Sequence, residues 1–180
     1  VGLILVAVVI GGLAYYTSHR DRRGAAPAAV GQKLLPTLAV NDIERMTLVS
    51  VGSTASVLRT KDGWVVPEKY NYPADFNKIR TALQTLADLK IGQPIPATSA
   101  QKAELNLLSP RLPATTNQEG QCGMEIALSG GQGKSPLTLV IGKQHERVAT
   151  GSGAGGYPDS RYVAGADGKV YLVTELLMEF

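Results

Sequence analysis

The chain has 180 residues, enough for one domain with an appendage and too few for two large catalytic domains. Charged residues make up 18%, below the roughly 25% of an average soluble protein, and the apolar excess lies at the N-terminus. The net charge is +3, but the one basic cluster, Arg20–Arg23, adjoins that apolar end, so we expect no nucleic-acid binding. Because Cys122 is the single cysteine, an intramolecular disulfide is excluded.

Residues 1–16, VGLILVAVVIGGLAYY, carry no charge and predict a transmembrane anchor within residues 1–19 that contacts the lipid bilayer. Its candidate anchor residues are Leu3, Ile4, Leu5, Val8, Val9, Ile10, Leu13, Tyr15 and Tyr16. At 1.5 Å per residue the run spans about 24 Å of a core of about 30 Å, so we expect further residues before it. A signal peptide is the alternative, although cleavage would have removed it from the chain. The residues alone leave the orientation undecided, because the arginines that follow favour a cytoplasmic domain and missing N-terminal residues could reverse this.

Residues 20–36 contain small residues and two prolines and predict a linker, followed by an α+β domain over residues 37–180. In the first half, alternation predicts strands at 43–51, 55–60 and 64–66, joined by turns at Gly52-Ser53 and Lys61-Asp62-Gly63. An amphipathic helix is predicted next, with Pro73 at its first position and its apolar residues every three or four positions. Thr98-x-x-Gln101 has the form of a capping box and predicts a short second helix.

The second half resembles the first in its order of elements. Alternation predicts strands at 124–128 and 137–141, then a hairpin of 161–164 and 169–173 across the turn at 165–168, and a final helix from Thr174. Tyr157 to Ser160 is expected to form a turn. We therefore expect two strand-hairpin and helix units with antiparallel sheets, a weak pseudo-repeat of residues 40–108 and 122–180.

No catalytic set can be assembled from the sequence. Gly151–Gly156 satisfies the dinucleotide pattern G-x-G-x-x-G, but a strand and not a helix is expected after it, which favours a loop. The only other histidine, His19, lies beside the apolar segment and Cys122 is isolated in sequence, so we expect no triad or metal set and predict that His145 is a surface loop residue. Five aspartates lie at expected turns or helix ends, where capping explains them: Asp62, Asp75, Asp88, Asp159 and Asp167. We expect no enzyme activity, no cofactor and no metal.

Aromatic residues are concentrated between Trp64 and Phe76. Packing under the helix is one interpretation, and an exposed surface for a protein partner is the other. The candidate partner contacts are Trp64, Tyr70, Tyr72, His145, Arg147 and Tyr157.

Several short segments in one order resemble the bacterial family called domain of unknown function 4340, over roughly residues 32–178. These segments are Leu34-Leu35-Pro36, Asn41-Asp42-Ile43, Asp62-Gly63-Trp64-Val65-Val66, Tyr72-Pro73-Ala74-Asp75, Leu86-Ala87-Asp88-Leu89, Leu105–Pro110, Ile141-Gly142-Lys143, Arg161-Tyr162-Val163 and Val170–Val173. The resemblance implies an N-terminal membrane anchor, an extracytoplasmic α+β domain and an association with ABC-type transporter or gliding-motility components. It implies no catalytic residues. The chain departs from the family in its glycine-rich loop at 151–156 and in ending at Phe180, where family members often continue.

The function expected from the sequence is that of a non-enzymatic, single-pass accessory subunit of a larger bacterial membrane protein complex. The domain is expected on the periplasmic side of the inner membrane, with other membrane subunits as partners. Two alternatives stay open. The chain is an accessory component of an ABC-type export or gliding-motility system, or it is a free-standing periplasmic module that binds a ligand or the envelope through residues 144–160.

Overall fold

The computed structural model of the chain describes residues 30–111, 120–130, 136–147 and 157–174. The described residues form nine strands and two α-helices. The strands are β1 (Ile43–Ser50), β2 (Ser53–Thr60), β3 (Gly63–Val66), β4 (Tyr72–Pro73), β5 (Ile91–Ile95), β6 (Met124–Gly130), β7 (Leu137–Arg147), β8 (Tyr157–Ala164) and β9 (Val170–Val173). The helices are α1 (Phe76–Asp88) and α2 (Ser99–Glu104).

The predicted membrane anchor and the glycine-rich loop lie outside the described residues, as does nearly all of the predicted final helix. Among the residues that are described, no helix is both long enough and apolar enough to cross a membrane.

All nine described strands belong to one antiparallel sheet in the order β4-β3-β2-β1-β6-β7-β8-β9-β5. The α+β class and the antiparallel pairing are therefore confirmed. The expectation of separate sheets in two units is wrong, because β1 pairs with β6 along six residue pairs and joins the two halves of the chain edge to edge. β5 leaves the first half of the chain entirely and pairs with β9 at the far edge.

Helix α1 connects β4 at one edge of the sheet with β5 at the other. Its 13 residues span about 20 Å and the four residues that join it to the strands add at most about 13 Å, whereas nine flat strands would be about 38 Å across. The sheet must therefore curl around α1, as the right-handed twist of strands favours. Ile79, Leu83 and Leu86 of α1 are buried against this inner face. The buried strand residues of the same core are Ile43, Met46, Trp64, Ile91, Ile126, Leu128, Leu139, Ile141, Val163, Tyr171 and Val173.

Helix α1 begins three residues later than predicted. Pro73 lies in the edge strand β4, where its missing N–H leaves no sheet hydrogen bond unmade. Asp75 is the N-cap, and its Oδ1 accepts hydrogen bonds from the backbone N–H of Asn77 at 2.9 Å and of Lys78 at 3.2 Å. The capping box of α2 is confirmed, since Thr98 and Gln101 exchange both hydrogen bonds.

The outer face of the sheet is covered by α2 and the segment that follows it. Leu107 packs there in a smaller cluster with Val140, Ala164 and Val170. Gly142 allows this close crossing, because a Cβ at that position would overlap the carbonyl oxygen of Leu105 and lie 2.7 Å from the Leu107 Cδ2 atom. The segment is also held by a hydrogen bond of 2.9 Å from the Lys143 N–H to the Leu105 carbonyl.

Candidate functional site: an aromatic edge and the adjoining cleft

Three large aromatic side chains are exposed together at the β4 edge of the sheet. Tyr70 is fully exposed, Tyr72 is 70% exposed and Phe76 is 56% exposed. They come from the turn before β4, from β4 itself and from the first residue of α1. We call these three residues the aromatic edge. Apolar rings grouped at a free sheet edge are unusual for a surface that contacts only water.

The backbone that presents the aromatic edge is strained. Tyr70 and Asn71 both adopt left-handed conformations, with φ of 55° and 57°. Each such non-glycine residue costs about 1–2 kcal/mol, and residues of this kind concentrate at functional sites. The preceding turn is fixed to β2 by a hydrogen bond of 2.5 Å from the Ser56 hydroxyl to Glu68, and this bond lowers the pKa of the Glu68 carboxyl. The fold therefore holds Tyr70 outward against its local backbone preference.

The structure divides the predicted partner contacts between two places. Trp64 is only 7% exposed and belongs to the core, whereas Tyr70 and Tyr72 lie on the surface beside it. His145 lies on β7, five positions from β4 in the sheet order, and its half-buried ring meets the Tyr162 ring edge-on with the ring centroids 5.8 Å apart.

Residues 157–160, expected to form a turn, instead begin β8, because their backbone pairs with the extended end of β7. Arg147 and Tyr157 are opposite each other at these two strand ends. Since β8 begins directly after Gly156, a strand follows the G-x-G-x-x-G run, and the dinucleotide interpretation lacks its helix.

A cleft of about 550 Å³ lies next to the aromatic edge, between α1 and the outer strands of the sheet. We call it the α1 cleft. It is lined by Val40, Asn41, Arg59, Trp64, Phe76, Arg80, Gln84, Ala87 and Asp88. The lining residues that belong to α1 recur mostly every three or four positions, so they share one flank of the helix, and this flank forms one wall of the cleft. Phe76 belongs both to this wall and to the aromatic edge, which makes the two features continuous.

The charged side chains of the α1 cleft differ in whether they have hydrogen-bond or ion-pair partners. Arg59 donates a hydrogen bond of 2.8 Å from Nη1 to the Asn41 carbonyl. Asp88 is paired with Lys33 at 2.9 Å, and this contact lowers the pKa of the Asp88 carboxyl. Arg80 makes no hydrogen bond or ion pair with any residue that the structure describes. Two guanidinium groups thus line the cleft, and neither is paired with a carboxylate of the described part of the chain.

The other chemically notable groups have structural roles. Glu125 is buried on the outer face and accepts hydrogen bonds from Ser109 Oγ at 2.6 Å and Arg111 Nε at 2.5 Å, which ties the segment after α2 to β6. Burial raises the pKa of the Cys122 thiol and so disfavours the nucleophilic thiolate. Within the described ranges, no three His, Cys, Asp or Glu residues are placed to share a metal ion.

Sequence reasoning missed both arginines of the cleft, because Arg59 and Arg80 lie on different elements and in no motif. The available signal was the row Phe76, Arg80, Gln84 on one flank of an amphipathic helix, beside its apolar flank. Glu125 was missed because the polar positions of a strand with one apolar face are ordinarily solvated.

A family model described as "Domain of unknown function (DUF4340)" matches residues 64–180. No curated protein and no solved structure matches the chain. The match begins at Trp64 and so includes the aromatic edge, α1 and all strands from β3 onward. It covers well over half of the chain and supports the family resemblance found in the sequence, although it begins about 30 residues later than the expected range of 32–178. The chain therefore belongs to the DUF4340 family.

Proposed function

We propose that the chain is a non-enzymatic accessory subunit of a larger bacterial membrane protein complex, anchored through residues 1–16 and contacting its partner subunits through the aromatic edge. The observation that carries the proposal is the exposure of Tyr70, Tyr72 and Phe76 together at the β4 edge of the sheet that the described strands form. Tyrosine and phenylalanine are enriched where proteins bind each other, because they bury a large area at a low entropic cost.

Two further features support a partner at this edge. The consecutive left-handed residues Tyr70 and Asn71 reduce stability without contributing to the core, which favours a functional reason for their conformation. In addition, β4 is an edge strand with one side unpaired among the described strands. Because Pro73 supplies no N–H on that side, we expect a partner to contact the aromatic rings and not to extend the sheet.

The proposal is tested by photocrosslinking in native membranes. A photoreactive phenylalanine derivative replaces Tyr70 or Tyr72 in the intact protein, and Glu104, which is exposed on α2, provides the control position. We expect a defined membrane subunit to be crosslinked from positions 70 and 72 and not from 104. Recovery of the protein alone, both after crosslinking and after gentle-detergent purification, would contradict the proposal.

The identity of the captured subunits also decides between the two named alternatives. An ATPase and its permease would indicate an ABC-type export or motility system. If no subunit is captured, a free-standing module that uses residues 144–160 becomes the better explanation. That module would lose its binding when Gly151–Gly156 is replaced by a serine-rich loop.

A further inference from the structure

We propose that the α1 cleft is a binding site for a carboxylate carried on an apolar body. This inference does not depend on the proposed membrane-complex function, because it is argued from the two arginines of the cleft and not from Tyr70 and Tyr72; Phe76 is the residue that the cleft shares with the aromatic edge. The cleft's volume of about 550 Å³ falls within the range of about 300–1,000 Å³ that is usual for ligand sites.

The charge of the ligand follows from the two arginines. Arg59 belongs to β2 and Arg80 to α1, so the sheet and the helix each contribute one guanidinium group to the lining of the cleft, and we infer that an anion binds between them. Asp88 is the one carboxylate among the lining residues, and Lys33 already holds it. Guanidinium forks match the planar geometry of a carboxylate, which can accept two parallel hydrogen bonds.

Among the residues that the structure describes, Arg80 has no hydrogen-bond or ion-pair partner that would explain its place. The residues four positions before and after it on α1 are Phe76 and Gln84, so the helix supplies no acidic partner at the spacings that stabilise helices. The guanidinium is therefore available to a ligand without first breaking an ion pair.

The apolar part of the ligand is inferred from the other residues that line the cleft. The exposed ring of Phe76 provides an aromatic surface, the mostly buried indole of Trp64 contributes a small part of the wall, and Val40 and Ala87 add aliphatic atoms. A small hydrated anion would leave these surfaces unused, whereas an aromatic or aliphatic acid would cover them and place its charge at the arginines.

Two sources could supply this chemistry: a free amphipathic acid, or an acidic residue flanked by apolar residues in a peptide segment. The experiment uses the full chain in a non-ionic detergent and titrates it with 4-phenylbutyrate and with a terminally blocked pentapeptide of alternating leucine and glutamate. The neutral comparisons are 4-phenylbutyramide and the same peptide with glutamine for glutamate. Trp64 is the only tryptophan and lines the cleft, so its fluorescence reports occupancy directly, and calorimetry measures the same binding independently.

We expect at least one acid to bind at least about tenfold more tightly than its neutral analogue. Arg80→Gln and Arg59→Gln should each remove this preference, and Lys78→Gln, an exposed position on α1 outside the cleft, should retain it. Ala87→Phe should weaken binding by filling the cleft without changing its charge. Preference for the peptide identifies a protein segment as the source, and preference for the free acid identifies a small molecule.

Three results would overturn the inference. They are equal affinity for charged and neutral probes, an undiminished preference after Arg80→Gln and Arg59→Gln, and the absence of binding in both fluorescence and calorimetry. The photocrosslinking result has no bearing on any of them, so the two proposals can fail separately.

Discussion

Replacing Gly142 by alanine tests how the outer face of the sheet is covered. The new Cβ would overlap the backbone oxygen of Leu105, which cannot move away by rotating a side chain, and would lie 2.7 Å from Leu107 Cδ2. The segment carrying Leu107 must therefore shift off β7. This shift exposes a leucine that is now only 4% exposed and breaks the hydrogen bond from Lys143 to Leu105.

The magnitude follows from these two losses. Exposing the leucine costs about 1.5–3 kcal/mol, and the hydrogen bond contributes about 0.5–1.5 kcal/mol. Alanine recovers about 0.5–1 kcal/mol relative to glycine in a strand. We expect Gly142→Ala to lower the free energy of unfolding by about 1–4 kcal/mol, measured by urea unfolding of the full chain with Trp64 fluorescence.

A double-mutant cycle tests whether displacement of Leu107 causes the loss of stability in Gly142→Ala. In a Leu107→Ala background the burial of Leu107 is already lost, so Gly142→Ala should cost about 1–2 kcal/mol less than it does alone. Gly52→Ala is the control, because its Cβ would meet no atom within 4 Å and only the left-handed φ of 74° is strained. Gly52→Ala should lower the free energy of unfolding by about 1 kcal/mol, and its effect should be additive with that of Leu107→Ala. Additivity of Gly142→Ala with Leu107→Ala would refute the reasoning.

Three further changes have defined outcomes. Glu125→Gln should lower the free energy of unfolding in urea by about 1.5–3 kcal/mol, because it removes the charge that accepts hydrogen bonds from Ser109 and Arg111 in a buried position. Tyr70→Gly should raise it by about 0.5–1 kcal/mol, because the side chain buries nothing and glycine relieves the left-handed φ, and it should weaken crosslinking from position 72. Burial raises the pKa of Asp167, but hydrogen bonds from the Lys169 N–H and the Tyr171 hydroxyl outweigh it and lower the pKa from 3.8. Its stabilisation is therefore complete above pH 3.8 and is lost as the pH falls through the lowered value, so acid unfolding should become less steep in Asp167→Asn.

Each of these outcomes has a result that would contradict it. Unchanged stability of Glu125→Gln would show that the segment after α2 is held by apolar contacts alone. A destabilised Tyr70→Gly would mean that the exposed ring contributes to folding. An Asp167→Asn variant with an unaltered acid transition would exclude the turn between β8 and β9 as a source of the pH dependence.

Local signals predicted the hairpins and the helices well. The turn at Lys61-Asp62-Gly63 and the capping box at Thr98 depend on residues close in sequence, and both are present in the structure. β5 was not predicted because Gly92 and Pro94 interrupt its pattern, and such a strand is tolerated only at a sheet edge.

Long-range pairing explains the remaining differences. No local property of Ile91–Ile95 indicates that it pairs with β9, and no property of β1 indicates β6 as its neighbour. The α1 cleft depends on this arrangement, since it forms only where the curled sheet brings β2 beneath the helix. The aromatic edge was foreseen as one of two interpretations because its residues are adjacent in sequence. The two arginines were not foreseen, because they meet only in the folded chain.

The pairing of β5 with β9 also constrains the order in which the domain can be completed during synthesis. β5 leaves the ribosome about 75 residues before β9, which corresponds to roughly 4–15 s of translation at 5–20 residues per second. Through that interval β5 lacks the strand that it will finally pair with, and α1 lacks most of the surface that it will bury against. The nascent chain must therefore avoid wrong strand pairing for seconds. The interruption of β5 by Gly92 and Pro94, which hid the strand from sequence analysis, makes it a poor template for such pairing.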